Sequence, residues 1–342
     1  MKPRRIGVAY DATLTDRAGM ADAHEDIVGT VDAVAAALRS RGYDAFRLPV
    51  ARLAEVRRTV RASGAEVVFN LVEELEGSSL AEAAVARELE RSGAGVTGCP
   101  AGAIGLCLDK ERTNALLSSR GLPVPRGRVF HEAGPAGGLE YPLIVKCLRE
   151  DASLGLGDAS IVRDEASLRD RVAWVRDTFG QPAIVEEFLE GREFNVAIAG
   201  PRPVALPVSE IDFSTMPAGK PRFVSYEAKW QPESVEFRST VPVCPADLPP
   251  ATAERLRRLA TRAARLAGCR DAARVDIRTD AAGRPHILEV NPNPDLSPDA
   301  GFARAARVHG WSYEDLIERL TLWAWKRRTR AGDPVASRAL RG

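Results

Sequence analysis

Four polar residues near the end of the chain have the types and spacing of a site for a metal–nucleotide complex. They are Arg274, Asp276, Glu289 and Asn291. Side chains alternate along a β-strand, so the members of each pair, two residues apart, share one face. Two carboxylates and a carboxamide oxygen are hard ligands that suit Mg²⁺, which completes its coordination with water and substrate phosphates. The arginine beside them suits an anion.

A β-hairpin is the element that must position these side chains. Two segments of alternating apolar and polar residues flank a turn, and a turn centred between Ala282 and Gly283 predicts that Asp276 lies opposite Glu289. The same register pairs the arginine with the asparagine. A charged hairpin that only faces water is the alternative for an isolated carboxylate pair. The exit, Asn291-Pro-Asn-Pro294, is fixed by two prolines and is unlike an ordinary strand end.

The composition is that of an ordinary globular protein and argues against several classes of function. The 342 residues are enough for two or three domains, and a net charge of +1 argues against a broad basic surface for nucleic acid. The five cysteines and four histidines show no metal-ligand spacing, which fits a reducing compartment and no structural zinc. No apolar run reaches membrane-spanning length. We therefore expect a cytoplasmic protein with no nucleic-acid or membrane partner.

The pattern of apolar residues predicts an α/β protein built from three units. Residues 1–108 alternate strands and helices, a rhythm that predicts a parallel sheet with helices on both faces. Residues 109–190 form a second unit, which begins with a helix capped by Asp109. Residues 191–330 form a strand-rich third unit that contains the hairpin and two closing helices. Residues 331–342 are expected to be a disordered tail.

Two lysines and a glycine-containing loop in the second unit could hold phosphates. Lys110 follows Asp109, and Lys146 lies near the end of a buried strand, just before the loop Asp151–Gly157. Ammonium groups suit polyphosphates, and glycines let backbone N–H groups approach them. The loop lacks the Gly-Lys-Ser/Thr ending of a Walker motif. Solvated lysines and a mobile surface loop are the alternatives.

The end of the next strand carries carboxylates beside an apolar pair. Glu186 and Glu187 precede Phe188 and Leu189, and Glu193 follows. Such carboxylates could bind a base and a ribose, and the backbone between them could hydrogen-bond to the edge of adenine. An edge strand with solvated glutamates is the alternative.

The order of these segments resembles the ATP-grasp superfamily and, within it, the D-alanine–D-alanine ligase-like group. The resemblance extends from Ile6 to about Lys326. Its most specific segments are Leu108-Asp-Lys110, Ile144-Val-Lys146, Val185-Glu-Glu-Phe-Leu-Glu-Gly-Arg-Glu193, Tyr226-Glu-Ala-Lys229, Ala273-Arg-Val-Asp276 and Leu288-Glu-Val-Asn291. It implies a Rossmann-like N-terminal pre-ATP-grasp domain over 1–108 and two α+β ATP-grasp subdomains, 109–190 and 191–330, that clasp ATP.

The resemblance also implies how ATP is bound. Lys110 and Lys146 would hold phosphates, and Lys229 would hold the γ-phosphate. Carboxylates and backbone at the end of the strand would contact adenine, and a further carboxylate would contact the ribose. The residues expected at these two places are Glu186, Glu187, Leu189 and Glu193.

The same resemblance implies the reaction. Asp276, Glu289 and Asn291 would bind two Mg²⁺ ions, for which Mn²⁺ can substitute, and Arg274 would stabilise the phosphoryl-transfer state. Members of the group convert a small carboxylate into an acyl phosphate, and a small amine then displaces phosphate. Metal and cations neutralise the charge that grows on the phosphoryl oxygens. The oligomeric state, including a homodimer, is left open.

The chain departs from the group's pattern in the parts that would bind the substrates. The group's glycine loop begins with a serine pair where this chain has Ala152-Ser153, and Ser153 is the serine expected to act in catalysis. The group's first domain holds the donor's amine with a glutamate. Asp22, Glu25 and Asp26 compete for that role in this chain, and we expect Glu25 to fill it.

The acceptor pocket departs from the pattern as well. Asp295 and Ala300 stand where the group uses a glycine and a serine, and the charge of Asp295 would repel an acceptor's own carboxylate. Helix capping by Asp295 and Asp299 is the alternative. We therefore expect an ATP-dependent carboxylate–amine ligase that is not a true D-alanine–D-alanine ligase. A true D-alanine–D-alanine ligase, an enzyme with a non-amine nucleophile and an ATP-binding regulatory protein stay open as alternatives.

Overall fold

The structure, a computed structural model, describes residues 2–13, 21–150 and 153–331. For residues 21–26 and 329–331 it describes the backbone alone. Several predictions therefore lie outside the described residues. These concern the side chains of Asp22, Glu25 and Asp26, the loop start at Asp151-Ala152 and the tail at 332–342. Within the described ranges, no helix is both long and apolar enough to cross a membrane.

The first unit is a parallel sheet with helices on both faces, which confirms the prediction. Its elements are β1 (Arg5–Asp11), α1 (Ala21–Ser40), β2 (Asp44–Val50), α2 (Val56–Ser63), β3 (Val67–Asn70), α3 (Glu82–Glu90), β4 (Gly95–Val96) and α4 (Ala101–Cys107). The strand order is β2-β1-β3-β4, and paired strands run parallel. Val67 and Phe69 pack against α1 and the last helices of the chain, whereas Val68 packs on the opposite face with α2 and α3.

The second unit is an antiparallel sheet covered by one long helix. Its elements are α5 (Lys110–Ser119), β5 (Gly127–Phe130), β6 (Leu143–Cys147), β7 (Ile161–Val162), α6 (Glu165–Phe179) and β8 (Ala183–Glu187). The strand order is β5-β8-β6-β7. Asp109 caps α5 as predicted, because its carboxylate accepts a hydrogen bond from the backbone N–H of Arg112 at 3.1 Å.

The third unit carries the hairpin at one edge of the chain's largest described sheet. Its elements are β9 (Glu193–Gly200), β10 (Val204–Asp212), α7 (Tyr226–Trp230), α8 (Val235–Arg238), β11 (Val241–Val243), α9 (Pro250–Leu266), β12 (Asp271–Thr279), β13 (Pro285–Asn291), α10 (Gly301–Val308) and α11 (Tyr313–Ala331). The strands pair antiparallel in the order β11-β10-β9-β12-β13. Val275 and Ile277 pack with α9 on one face. Strand alternation therefore leaves the opposite face to Arg274 and Asp276.

The last helix returns to the first unit and is fixed there by an ion pair between a half-buried arginine and a buried aspartate. Arg327 of α11 donates from Nη1 to Oδ1 of Asp271 at 2.6 Å and from Nη2 to Oδ2 at 2.5 Å. Asp271 is fully buried, has a φ of 61° and also accepts from the backbone N–H of Gly98 at 3.1 Å. Arg327 donates further to the carbonyl of Val96 in β4 at 2.8 Å. These bonds join the first sheet, the third sheet and α11.

Candidate active site

The hairpin pairs its four polar residues as the sequence predicts. Arg274 lies opposite Asn291, and Asp276 lies opposite Glu289. Arg274 also donates to its neighbour on the same face, from Nε to Oδ1 of Asp276 at 2.7 Å and from Nη2 to Oδ2 at 2.8 Å. The two carboxylates, the carboxamide and the guanidinium therefore share one face of the sheet.

The reason for this pairing differs from the predicted one. Near the turn, the register centres the turn on Ala282 rather than between Ala282 and Gly283. The register then shifts by one residue just after Asp276. Without this β-bulge, Asp276 would lie opposite Leu288, and Glu289 would point to the other face. Bulges are common beside active sites because they re-aim a side chain in this way.

Strand β9 extends the polar face on the other side of β12. Asn195 lies opposite Asp276 and donates from Nδ2 to its Oδ1 at 2.8 Å. Glu193 lies opposite Arg278, whose Nη1 donates to Oε2 of Glu193 at 2.8 Å. The predicted ribose ligand and the predicted metal ligands thus occupy adjacent rows of the same sheet face.

Electrostatics tie the guanidinium of Arg274 to three carboxylates. Burial lowers the pKa of Arg274, but the negative charges of Asp276, Glu289 and Asp295 outweigh burial and raise that pKa above its ordinary value. A cation held by three anions in a partly desolvated place stays charged at any physiological pH. Arg274 can therefore supply a permanent positive charge to a phosphoryl group.

The ammonium group of Lys229 belongs to the same cluster. Its side chain reaches solvent, yet the surrounding protein desolvates the ammonium and lowers its pKa. The positive charge of Arg274 lowers the pKa further, and the carboxylates of Glu73, Glu289 and Asp276 oppose that shift. Helix α7 thus brings Lys229 within electrostatic reach of the hairpin, as a lysine that holds a γ-phosphate requires.

The exit from the hairpin connects the site to the first unit. The backbone N–H of Asn293 donates to Oδ1 of Asn291 at 2.8 Å, which fixes the orientation of that carboxamide. The side chain of Asn293 donates from Nδ2 to the carbonyl of Val72 at 3.1 Å. Val72 precedes Glu73, so this hydrogen bond explains how a first-unit carboxylate comes to face Lys229.

The donor set of the hairpin fits Mg²⁺ bound together with phosphate. Asp276, Glu289 and Asn291 offer only oxygen, which suits a hard cation. Among the residues that the structure describes, no group of three His, Cys, Asp or Glu could hold a metal ion. Two carboxylates and one amide are too few for a closed site, and Mg²⁺ usually takes its remaining ligands from water and substrate phosphates.

The second unit brings two predicted ATP ligands into direct contact. Lys146 of β6 and Glu186 of β8 form an ion pair with 2.5 Å between Nζ and Oε2, and Glu186 is 2% exposed. Asn114 of α5 donates from Nδ2 to Oε1 of Glu186 at 2.8 Å. Lys110, on the same helix, donates from Nζ to the carbonyl of Glu150 at 2.5 Å, in the segment that follows β6.

Glu187 does not share the surroundings of Glu186. Side chains alternate along β8, and the carboxylate of Glu187 lies on the other face, 3.0 Å from Nη1 of Arg126. It also accepts from the backbone N–H of Glu140 at 3.0 Å. The side chains of Glu186 and Glu187 therefore lie in different surroundings, and a contact of Glu187 with the nucleotide stays a prediction. Leu189 lies half-buried just beyond the strand, and its backbone contact with adenine stays a prediction.

The described part of the glycine loop is attached to the segment that leads to Lys229. Ser153 has a φ of 59°, and its Oγ donates to the carbonyl of Val224 at 3.0 Å. The backbone N–H of Tyr226, the first residue of α7, donates to the carbonyl of Leu156 at 2.8 Å. The hydroxyl of Ser153 thus fixes the loop against α7, and its role in catalysis stays a prediction.

Asp295 lies at the edge of the cluster and is not a helix cap. The N-cap of α10 is Ala300, and neither Asp295 nor Asp299 caps that helix through its side chain. Asp295 accepts instead from the backbone N–H of Ser297 at 2.8 Å and from its Oγ at 3.1 Å. The capping alternative is therefore wrong for both aspartates. The negative charge of Asp295 instead acts on Arg274 and helps to raise the pKa of its guanidinium.

Comparison with known proteins identifies the family. The family model described as D-ala D-ala ligase C-terminus matches residues 131–322. A D-alanine–D-alanine ligase of Desulforudis audaxviator is 35% identical over 332 residues, which are 95% of this chain and 99% of that protein. The chain belongs to the D-alanine–D-alanine ligase family. Membership makes it an ATP-dependent carboxylate–amine ligase, which confirms the predicted reaction class.

Two further comparisons give another relative and a structure with the same fold. An uncharacterized protein of Sinorhizobium fredii is 34% identical over 259 residues, which are 75% of this chain and 73% of that protein. The crystal structure of a D-alanine–D-alanine ligase from Bacillus anthracis complexed with ATP superposes with a TM-score of 0.75 at 19% identity. The superposition covers 96% of this chain and 100% of that chain, and it confirms the predicted ATP-grasp fold.

Four polar residues of this family member join the site without having been predicted. They are Glu73, Asn114, Asn195 and Arg278. Asn195 and Arg278 each lie two residues from a predicted ligand on the same strand, so strand alternation could have found them. Glu73 and Asn114 come from other elements, and only the folded chain brings them near.

Proposed function

We propose that the chain uses ATP and Mg²⁺ to convert a small carboxylate, an amino acid by preference, into an acyl phosphate, which a small amine then displaces. The products are the amide, ADP and phosphate. The observation that carries this proposal is the shared sheet face of Arg274, Asp276, Glu289 and Asn291, with Lys229 in electrostatic reach. A protein that only bound ATP would not require this whole set.

The charge and position of each residue determine its proposed role. Lys110 and Lys146 hold ATP phosphates from the second unit, and Lys229 holds the γ-phosphate from the third. Arg274 stabilises the charge that develops during phosphoryl transfer and in the tetrahedral state that follows amine attack. Residues 109–190 and 191–330 act as the two halves that clasp ATP, and 1–108 supplies the donor side.

Asp276, Glu289 and Asn291 are the residues that would hold Mg²⁺. The metal supplies charge neutralisation at the phosphoryl oxygens when it is bound. Asn195 and Arg274 each donate to Asp276 and fix its orientation. The β-bulge keeps Glu289 on the same face as Asp276, so the protein holds these metal ligands on one face of the sheet.

A hydroxylamine trap tests the proposed reaction before the natural acceptor is known. The protein is incubated with ATP, Mg²⁺ and hydroxylamine over a panel of amino acids and other carboxylic acids. Hydroxylamine displaces phosphate from an acyl phosphate, so a hydroxamate that forms with one acid identifies the donor. Binding of ATP without hydroxamate or phosphate release across the panel would support the ATP-binding regulatory alternative and overturn the ligase proposal.

The acceptor is proposed to lack a free α-carboxylate or to carry an additional positive charge. Asp295 lies at the position where the family resemblance places a glycine of the acceptor pocket, and hydrogen bonds from Ser297 hold its carboxylate in place. A second anion entering beside it would be repelled. The competing candidate is D-alanine as acceptor, which similarity to the D-alanine–D-alanine ligase of Desulforudis audaxviator favours.

Asp295→Gly is expected to raise kcat/KM for D-alanine as acceptor about tenfold, because one like charge beside the acceptor is worth about 1–2 kcal/mol in a partly solvated place. Asp295→Asn should give most of the same gain, since it removes the charge and keeps the shape. Phosphate release with the identified donor and varied D-alanine measures the effect. Asp299→Asn is the matched control and should change nothing. Efficient D-alanyl-D-alanine synthesis by the unaltered protein would contradict the proposal.

A further inference from the structure

Arg278 is buried in the sheet face beside the proposed metal ligands. Its side chain is 3% exposed, and its Nη1 donates to Oε2 of Glu193, whose side chain is 9% exposed, at 2.8 Å. Its Nη2 donates to the backbone carbonyl of Arg222. The guanidinium is thus fixed at two ends, one on β9 and one on the segment that precedes α7.

Two aromatic rings pack against the same guanidinium. The guanidinium carbon lies 5.0 Å from the ring centre of Phe188 and 5.7 Å from that of Phe213. Phe188 follows β8 directly, in the segment predicted to contact adenine, and it packs edge-on against Phe223. Arg278 therefore links the proposed adenine segment to Glu193, the proposed ribose ligand.

A gain in stability does not explain why Arg278 and Glu193 form a buried ion pair. Two charges taken out of water lose much of their mutual attraction to desolvation, and apolar residues of similar volume often replace a buried pair without loss. The pair instead has a geometric consequence. The bond to Arg278 uses only Oε2 of Glu193, so the carboxylate is held in one rotamer while its other oxygen can accept from a ligand hydroxyl.

We propose that Arg278 is a positioning residue for the nucleotide, which fixes the carboxylate of Glu193 to accept a hydrogen bond from a ribose hydroxyl. This inference rests on the proposed binding of ATP between the second and third units. It goes beyond that function because it assigns recognition of the ribose to a pair of residues rather than to one. It also predicts that loss of Arg278 weakens binding only of nucleotides that carry the hydroxyls.

The test compares ATP with 2′,3′-dideoxy-ATP by calorimetry in the presence of Mg²⁺, so the readout is binding rather than turnover. The unaltered protein should bind ATP about tenfold more tightly, as one hydrogen bond to a charged acceptor implies. In Arg278→Gln the two affinities should come within about twofold, through weaker binding of ATP. The dideoxy nucleotide should keep its affinity within about threefold.

A double-mutant cycle shows whether Arg278 acts through Glu193. Glu193→Gln should also remove the preference for ATP, and adding Arg278→Gln to it should change the ratio no further. Arg192→Gln is the matched control, because Arg192 is the neighbour of Glu193 in sequence but its exposed side chain pairs with Glu210. The preference of this variant for ATP should stay that of the unaltered protein. If Arg278→Gln does not fold, Arg278→Lys supplies the comparison and should reduce the preference to about threefold.

Three results would overturn the positioning role. They are an unchanged preference in a folded Arg278 variant, a further loss of preference when Arg278→Gln is added to Glu193→Gln, and no preference in the unaltered protein. Failure of the unaltered protein to bind either nucleotide would instead refute the proposed function itself. The two failures are therefore distinguishable.

Discussion

Glu289→Gln is expected to lower kcat by about a thousandfold or more while the fold is kept. The substitution keeps the size of the side chain and removes the charge that completes the oxygen donor set with Asp276. Loss of one group that stabilises transition-state charge typically costs a hundred- to a thousandfold in rate, and a metal ligand belongs at the upper end. Phosphate release from ATP with Mg²⁺ and the identified donor measures the effect.

The matched control for this substitution is Glu210→Gln. Glu210 lies on the same sheet but pairs with Arg192, away from the polar face, so its loss should leave kcat within about twofold. Circular dichroism and the unfolding midpoint should match the unaltered protein for both variants. Near-normal turnover of a folded Glu289→Gln protein with Mg²⁺ would show that Glu289 is not a metal ligand.

Much of the site could be predicted because it is local in sequence. The hairpin places Arg274, Asp276, Glu289 and Asn291 within 18 residues, and strand alternation together with one turn fixes their faces. The β-bulge could not be predicted from that pattern, since it depends on how β13 packs against its neighbours. The predicted pairs were correct although the predicted turn centre was not.

Alternation also separates two predicted ligands of the same type. Glu186 and Glu187 are adjacent, so a strand must point them to opposite faces, and the structure pairs Glu187 with Arg126. The part of Glu187 in nucleotide binding stays a prediction. The capping alternative for Asp295 and Asp299 is wrong, because helix α10 begins at Gly301 and its N-cap is Ala300.

The fold was predictable where apolar periodicity is strong. The alternation of strands and helices over residues 1–108 and the buried strand that ends near Lys146 follow clear patterns, and both are present. Strand β2 lacks such a pattern, because Pro49 and Arg47 interrupt its apolar residues. Its place at the edge of the sheet explains why both are tolerated there.

Contacts between segments far apart in sequence could not be predicted from apolar periodicity or residue spacing. The pair of Glu193 and Arg278 is separated by 85 residues, and the pair of Asp271 and Arg327 by 56. Each pair depends on which strands and helices become neighbours, which no local pattern specifies. Substitution of one member of such a pair is expected to have a large effect, since a charge left alone in the interior is strongly destabilising.

Arg327→Met is therefore expected to lower the free energy of unfolding by about 3–5 kcal/mol. The methionine fills much of the same volume but leaves the carboxylate of Asp271 buried without its cation, and it removes the bond to Val96. Urea unfolding measures the loss. Arg328→Met is the matched control, because Arg328 donates at the surface to the carbonyl of Gly93 and should cost at most about 1 kcal/mol.

The double variant Asp271→Gly with Arg327→Met distinguishes loss of the ion pair from general damage to α11 as the cause of the lower stability. Removing both charges abolishes the unpaired anion, and glycine also relaxes the backbone at position 271, where φ is 61°. The double variant should therefore be more stable than Arg327→Met alone and recover at least half of its loss. If Arg327→Met costs less than about 1 kcal/mol, or if the second substitution makes the protein less stable still, the pair does not fix α11 to the two sheets. The expected rescue depends on burial, because only an anion shut away from water is costly enough for its removal to stabilise the fold.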